Sequence, residues 1–177
     1  PRREADGRPA REKAVDRQTL ESRCIRLGLP VTPEGLRDAR APWYGCKAGI
    51  AMASHTPAHN DRLRLWDAIT HMRRTVAAYD AAIGAPRRHA VCMNLLTPPE
   101  PMEADAASPA PDLRDEADKA RQAVSAYMRL QDALDHDKAS GSVAKAVVID
   151  DAGCKLPILL IAALSRVSNL ISGKQIS

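Results

Sequence analysis

A chain of 177 residues is long enough to bury a sizeable core, as one domain or two small lobes. With no Phe, two Trp and three Tyr, its interior must come from Ala, Leu, Ile, Val and Met, which favours close helix–helix packing over a β-sandwich. A formal charge of +4 gives only a mild pull toward polyanions, and its distribution says more than its sum.

Residues 1–30 carry eight Arg or Lys against five acids, and 61–90 carry six against three, whereas 91–111 hold three acids and no base. The positive potential therefore lies in the N-terminal half. The polar N-terminus does not resemble a signal peptide. The most apolar run, 156–164, is too short to span a bilayer. These features read as a soluble, cytoplasmic protein with no membrane partner. Cys24, Cys46, Cys92 and Cys154 stand far apart and read as reduced, buried small hydrophobes.

Residues 1–16 are Arg-rich without apolar periodicity and read as a flexible basic arm able to order on a partner. A first helix is expected from Asp16 or Arg17 to Leu27, with Leu20, Cys24 and Leu27 inward, stopped by Gly28 and Pro30. Thr32-Pro33-Glu34 is a strong helix start, with a capping oxygen, proline at the first position and an acid in the first turn. Pro42 ends that helix near Arg40. Residues 17–41 thus have a helix-turn-helix outline, one that many all-α proteins share. Trp43 and Tyr44 follow as the one adjacent aromatic pair, either a core anchor or a stacking surface. A short Ala-rich helix is expected over 46–54 and a loop over 54–57.

The stretch 60–86 is the best-marked element. Leu65, Ile69, Met72, Val76, Tyr79 and Ile83 recur at spacings of four and three and form one apolar stripe. Asn60 or Asp61 can cap its start, and Gly84 with Pro86 stops its end. A short helix is expected over 87–96. Five prolines within 97–111 mark a linker over 97–112, dividing a helical lobe at 17–96 from a second at 113–177. Asp112 then caps a helix to about Asp135, with Ala117, Ala120, Val124, Tyr127 and Leu134 inward. Ser140, Gly141 and Ser142 read as a break, 143–149 as a short buried helix or strand, and 150–153 as a turn. A final helix from Pro157 to Ser172, closed by Gly173, carries a wide apolar face of Leu160, Leu164, Val167 and Ile171. That face could close the core or form the seam of a homodimer.

Three constellations could carry chemistry. Cys46, His55 and His59, with Cys24 or His71 as a fourth ligand, have part of a zinc spacing. They lack a C-x2-C knuckle, Pro57 prevents a regular helix between the histidines, and the same residues read as loop histidines and core thiols. His89 three residues before Cys92 shares a helix face with it, but no third group orients the pair, and a packed thiol is the plainer reading. Asp150 and Asp151 supply too few ligands for a hard cation. The sequence therefore assigns no catalytic residue, no metal and no cofactor. The basic set is the better lead: Arg62, Arg73 and Arg74 on the long helix, beside His71, with Arg87 and Arg88 following. Long basic side chains on a rigid frame suit phosphate contact, against the bland reading of a solvated helix face.

The strings Arg40-Ala41-Pro42-Trp43-Tyr44-Gly45-Cys46-Lys47-Ala48-Gly49 and Ala78-Tyr79-Asp80, with Ala82-Ile83-Gly84-Ala85-Pro86 and Arg88-His89-Ala90, carry a resemblance. The chain resembles uncharacterised helical proteins of alphaproteobacterial phages and prophages over about residues 17–135. The resemblance implies a mobile-element context and supplies no catalytic or binding residues.

The expectation is an all-α helical bundle with a helix-turn-helix-like N-terminal part and a Pro-rich linker. Its first functional reading is a non-enzymatic, phage-type DNA-binding protein for transcription regulation or DNA packaging. Double-stranded DNA would be held by Arg62, Arg73, Arg74, Arg87 and Arg88. The alternative is a helical protein-interaction module, an inhibitor or adaptor of phage or host machinery, whose partner would meet Trp43 and Tyr44.

Overall fold

The computed structural model of the chain describes residues 11–86 and 115–173, with side chains from Arg17 onward. Among these residues the fold is all-α, with seven α-helices and no strand. Helices α1 (Arg11–Leu27) and α2 (Pro33–Arg40) lead through a 3-10 turn at Pro42–Gly45 into α3 (Lys47–His55) and the long α4 (His59–Ala82). Beyond the undescribed stretch come α5 (Glu116–Asp135), α6 (Lys138–Ala144), a π-helical turn at Lys145–Ile149, and α7 (Pro157–Ile171). The helix expected over 87–96, the linker over 97–112 and the capping Asp112 lie outside the described residues.

The core is built around α4. Leu65, Ile69, Met72 and Val76 are buried as their spacing requires, together with Ala68 and Thr75. Each fully buried aliphatic side chain of this kind contributes about 1.5–3 kcal/mol, so the stripe must be covered. Helices α3, α5 and α7 cover it, contributing Met52, Leu130, Leu134, Leu160, Leu164 and Val167 to one cluster. Tyr79 completes the stripe by stacking on Tyr127 of α5, with ring centroids 3.9 Å apart and planes 9° from parallel. The last expected member, Ile83, is 54% exposed because the helix ends one residue before it. Gly84, at φ +65°, makes the left-handed exit.

Residues from both sides of the expected linker share this core, so the two lobes read from the sequence do not carry separate interiors. The apolar face of α7 closes that core through Leu160, Leu164 and Val167, while Ile171 stays 46% exposed.

Several local expectations are corrected. Helix α1 begins at Arg11, earlier than Asp16 or Arg17, within the stretch read as an arm. The N-cap of α4 is Ala58, with no side-chain bond, and Asn60 and Asp61 lie in the first turn. On α5, Ala117 and Val124 face solvent, whereas Leu130, Ala133 and Leu134 are inward. Tyr127 and Leu134 stay on the inward face as expected, and Ala117 and Val124 lie outside because α5 packs mainly through its C-terminal half. The expected break at 140–142 is the middle of α6. Asp137 caps that helix, its Oδ1 accepting from the Ala139 amide at 3.2 Å, and Ser140 and Gly141 are buried. Small side chains are needed there because α6 turns back onto α5. The 143–149 run resolves as helix widening into the π turn, which buries the adjacent Val147 and Val148 together.

A Cβ at Gly141 would collide with the backbone carbonyl of Leu134, an atom that cannot swing aside. Gly141→Ala is expected to lower stability by about 1–3 kcal/mol through overpacking. Gly153→Ala, whose Cβ meets nothing within 4 Å, is expected to stay within about 0.5 kcal/mol of the parent. Urea unfolding midpoints of the two variants check this.

Candidate functional site

The α1–α2 hairpin follows from its turn chemistry. Thr32 Oγ1 accepts the Gly35 amide at 3.2 Å, and Pro33 opens the helix as its fixed φ prefers. Cys24 is fully buried and its thiol donates to the Gly35 carbonyl at 3.3 Å; Ala39 is buried as well. Neither belongs to the cluster around α4, so the hairpin closes a small interior of its own. The carboxylate of Asp38 lies 4.0 Å from the guanidinium of Arg62 and links the hairpin to α4.

On its outer side the hairpin carries a groove of about 310 Å³ lined by Leu20, Val31 and Leu36, with Arg17 and Arg40 also on its walls. Val31 is 50% exposed, and Ile25 on α1 is 71% exposed. Arg17 pairs with Glu21 at 2.9 Å. Arg26, Arg37 and Arg40 are exposed and have no ion pair among the described residues. The signal for this groove in the sequence is an apolar Val31 set between the helix-stopping Pro30 and the capping Thr32.

Of the predicted nucleic-acid residues, Arg62, Arg73 and Arg74 are described, and two of these three are engaged on backbone carbonyls. Arg62 donates through Nε to the Thr56 carbonyl at the C-cap of α3. Arg73 is half-buried and donates through Nε to the Val148 carbonyl at 3.0 Å, at the end of the π turn. Both carbonyls are helix-end acceptors without an intrahelical partner, where a cation also meets the negative end of the helix dipole. Arg74 is exposed, and Arg87 and Arg88 lie outside the described residues. His71, read as part of the polar face, is half-buried against Thr75 Oγ1 at 3.4 Å, and burial pushes its imidazole below the ordinary 6.5.

Trp43 is corrected from partner anchor to core residue. It is 2% exposed within the α4 cluster, with the His59 ring edge-on at 5.8 Å. A ring so enclosed has no surface left for a partner. Tyr44 remains half-buried; burial raises its phenol pKa, Arg62 opposes that, and Asp38 adds to it.

The zinc candidates are dispersed. Cys46 caps α3, its sulfur accepting the Gly49 amide at 3.4 Å, His55 bonds Ser54 at 2.9 Å, His59 lies on Trp43, and Cys24 is in the hairpin. Among the described residues no group of three or more His, Cys, Asp and Glu is placed to hold a metal ion. Cys24, Cys46 and Cys154 are free thiols; Cys92 and His89 lie outside the described residues. No helix among the described residues is long and apolar enough to cross a membrane.

A larger cleft of about 940 Å³ opens between α4, the π turn and the N-terminus of α3. Its walls include Cys46, Arg73, Val76, Ala77, Val148 and Ile149. Asp151, also on the wall, sits at φ +50° and is fastened by Lys47, whose Nζ donates to its carbonyl at 2.8 Å and lies 3.6 Å from its Oδ2. No family model, curated protein or solved structure matches the chain.

Because Arg62 and Arg73 cap neighbouring helices, Arg62→Ala and Arg73→Ala are each expected to cost about 1.5–3 kcal/mol, and Arg74→Ala less than about 0.5 kcal/mol. Thermal and urea unfolding of the three variants read this directly. His71 titrates lower folded than unfolded, so the unfolded chain takes its proton first. The stability this neutral ring contributes is present above 6.5 and lost as pH falls below it. His71→Gln is therefore expected to flatten the acid-side loss of stability, and the imidazole midpoint by NMR is expected below 6.5.

Proposed function

We propose that the chain is a non-enzymatic helical protein-interaction module, of inhibitor or adaptor type, that docks an acidic amphipathic helix of a partner protein on the α1–α2 hairpin. The observation that carries this reading is the hairpin groove, lined by Leu20, Val31 and Leu36 together with Arg17 and Arg40. An apolar slot with Arg40, unpaired among the described residues, on its wall beside Arg17 paired to Glu21 matches a helix with leucine-type anchors on one face and carboxylates beside them. The hairpin contributes nothing to the core around α4, so its groove is not needed to hold that core together. The interaction reading survives the loss of Trp43 as an anchor by moving to this surface. The DNA reading keeps Arg74 from its described set and finds Arg62 and Arg73 engaged on backbone carbonyls.

Fluorescence anisotropy with two probes separates the readings. The first is a labelled helical peptide with leucines at i, i+3, i+4 and i+7 and glutamates around them; the second is labelled duplex DNA across a salt series. The peptide is expected to bind saturably, and Val31→Asp and Arg40→Glu are each expected to cost at least about 1 kcal/mol of binding at surface positions that leave the fold intact. DNA binding that weakens steeply with salt, with no peptide binding, would replace this reading with the DNA one. Peptide binding indifferent to both substitutions would remove the hairpin from it.

A further inference from the structure

The cleft between α4 and the π turn is a second surface, and the docking reading makes no use of it. Its size falls in the range of small-molecule sites, at about 940 Å³. Val76 and Ala77 of α4 face Val148 and Ile149 of the π turn across it, giving an apolar interior. On the same wall stands Arg73, half-buried and held in one orientation by the bond from its Nε to the Val148 carbonyl. Among the described residues that is its only hydrogen bond, and no carboxylate lies within ion-pair distance. A guanidinium has five donors in a fixed fork, so this one keeps its terminal N–H groups while its side chain is already immobilised.

Two carboxylates also reach the wall. Asp151 is paired with Lys47, and Asp80 has an interaction of its own. Among the described residues they leave Arg73 as the charged group with donors to spare, and one guanidinium beside two carboxylates suits a monoanion better than a phosphate dianion. A single carboxylate fits a single fork in bidentate fashion.

We infer that the cleft is a binding site for a small amphipathic carboxylate, its apolar body between Val76, Ala77, Val148 and Ile149 and its carboxylate on Arg73. The site is independent of the hairpin groove, and either can fail without the other.

Calorimetric titration of the full chain with octanoate tests this, with 1-octanol as the uncharged comparator. Octanoate is expected to bind saturably and at least about tenfold more tightly than octanol, the advantage of a charged hydrogen-bonded pair. Arg73→Gln is expected to remove that tenfold preference. Since Arg73 also steadies the fold, a second variant, Ala77→Trp, fills the cleft from a solvent-exposed position on α4 and is expected to weaken octanoate by at least about tenfold with its unfolding temperature unchanged. Equal affinity for octanol and octanoate, undiminished binding in Ala77→Trp, or no saturable binding of octanoate would each overturn the inference.

Discussion

Burial of the α4 stripe is the constraint on which the rest of this structure depends. Leu65, Ile69, Met72 and Val76 run along a single helix of 24 residues, and no one neighbouring helix can cover so long a face. Three helices share the task, drawn from both sides of the undescribed stretch between 86 and 115. Without Phe, these helices meet through Leu, Met, Val and Ala, and the glycines and alanines at their contacts set how closely they approach. Gly49, where a Cβ would strike the Trp43 backbone, and Gly141, where it would strike Leu134, show that two of the tight approaches involve backbone rather than side chain.

Helices that gather around α4 bring their ends to its surface, and ends expose carbonyls. The long basic side chains meet that need. Arg62 reaches the C-cap of α3, and Arg73 reaches the end of the π turn. Lys47 holds the turn at Asp151, and Arg166 donates to Asp137 at 3.1 Å and to Ser140 Oγ at 2.7 Å at the start of α6. The Asp137 carboxyl is held below its ordinary range by hydrogen bonds from Ser140, the Ala139 amide and Arg166. Lys47, Arg62, Arg73 and Arg166 are thus engaged on backbone and cap acceptors. A polyanion surface needs basic side chains that can converge on one face, and Arg62 and Arg73 are tethered to separate helix ends, so counting Arg along α4 overstates the patch they could form.

This engagement also explains what could be read from the sequence. The α4 stripe, the Thr32-Pro33 start, the Gly84 exit and the inward face of α7 were legible because each is a local pattern whose physics lies within one helix. The start of α4 at Ala58 was not, because a residue without a capping side chain displaced two good candidates once Arg62 and His59 were drawn toward α3 and Trp43. Ser140-Gly141-Ser142 has the composition of a turn, and only the close approach of α5 turns small size into a reason for helix. For the candidate sites the difficulty is sharper. Arg73 looks alike in sequence whether it faces phosphate, caps a helix or lines a cleft, since its use depends on Val148, 75 residues away. Trp43 was open between anchor and core for the same reason.

The hairpin and the cleft differ in what holds them, and this bears on what each can do. The hairpin is short-range: its turn, its cap and its buried Cys24 all lie within residues 11–40, so exposed changes there leave the α4 core untouched. The cleft is long-range: its walls meet through the packing of Val147 and Val148 into the α4 core, and Arg73 ties α4 to the π turn while Lys47 ties α3 to the turn at Asp151. Asp151 is held in the left-handed region, which costs an L-residue about 1–2 kcal/mol, and the double hold by Lys47 offsets that strain. A surface built from one local unit can vary its contacts without cost to the core. A cleft whose walls depend on the same bonds that cap the helices cannot, and a group entering it acts directly on the ties between α4, α3 and the π turn.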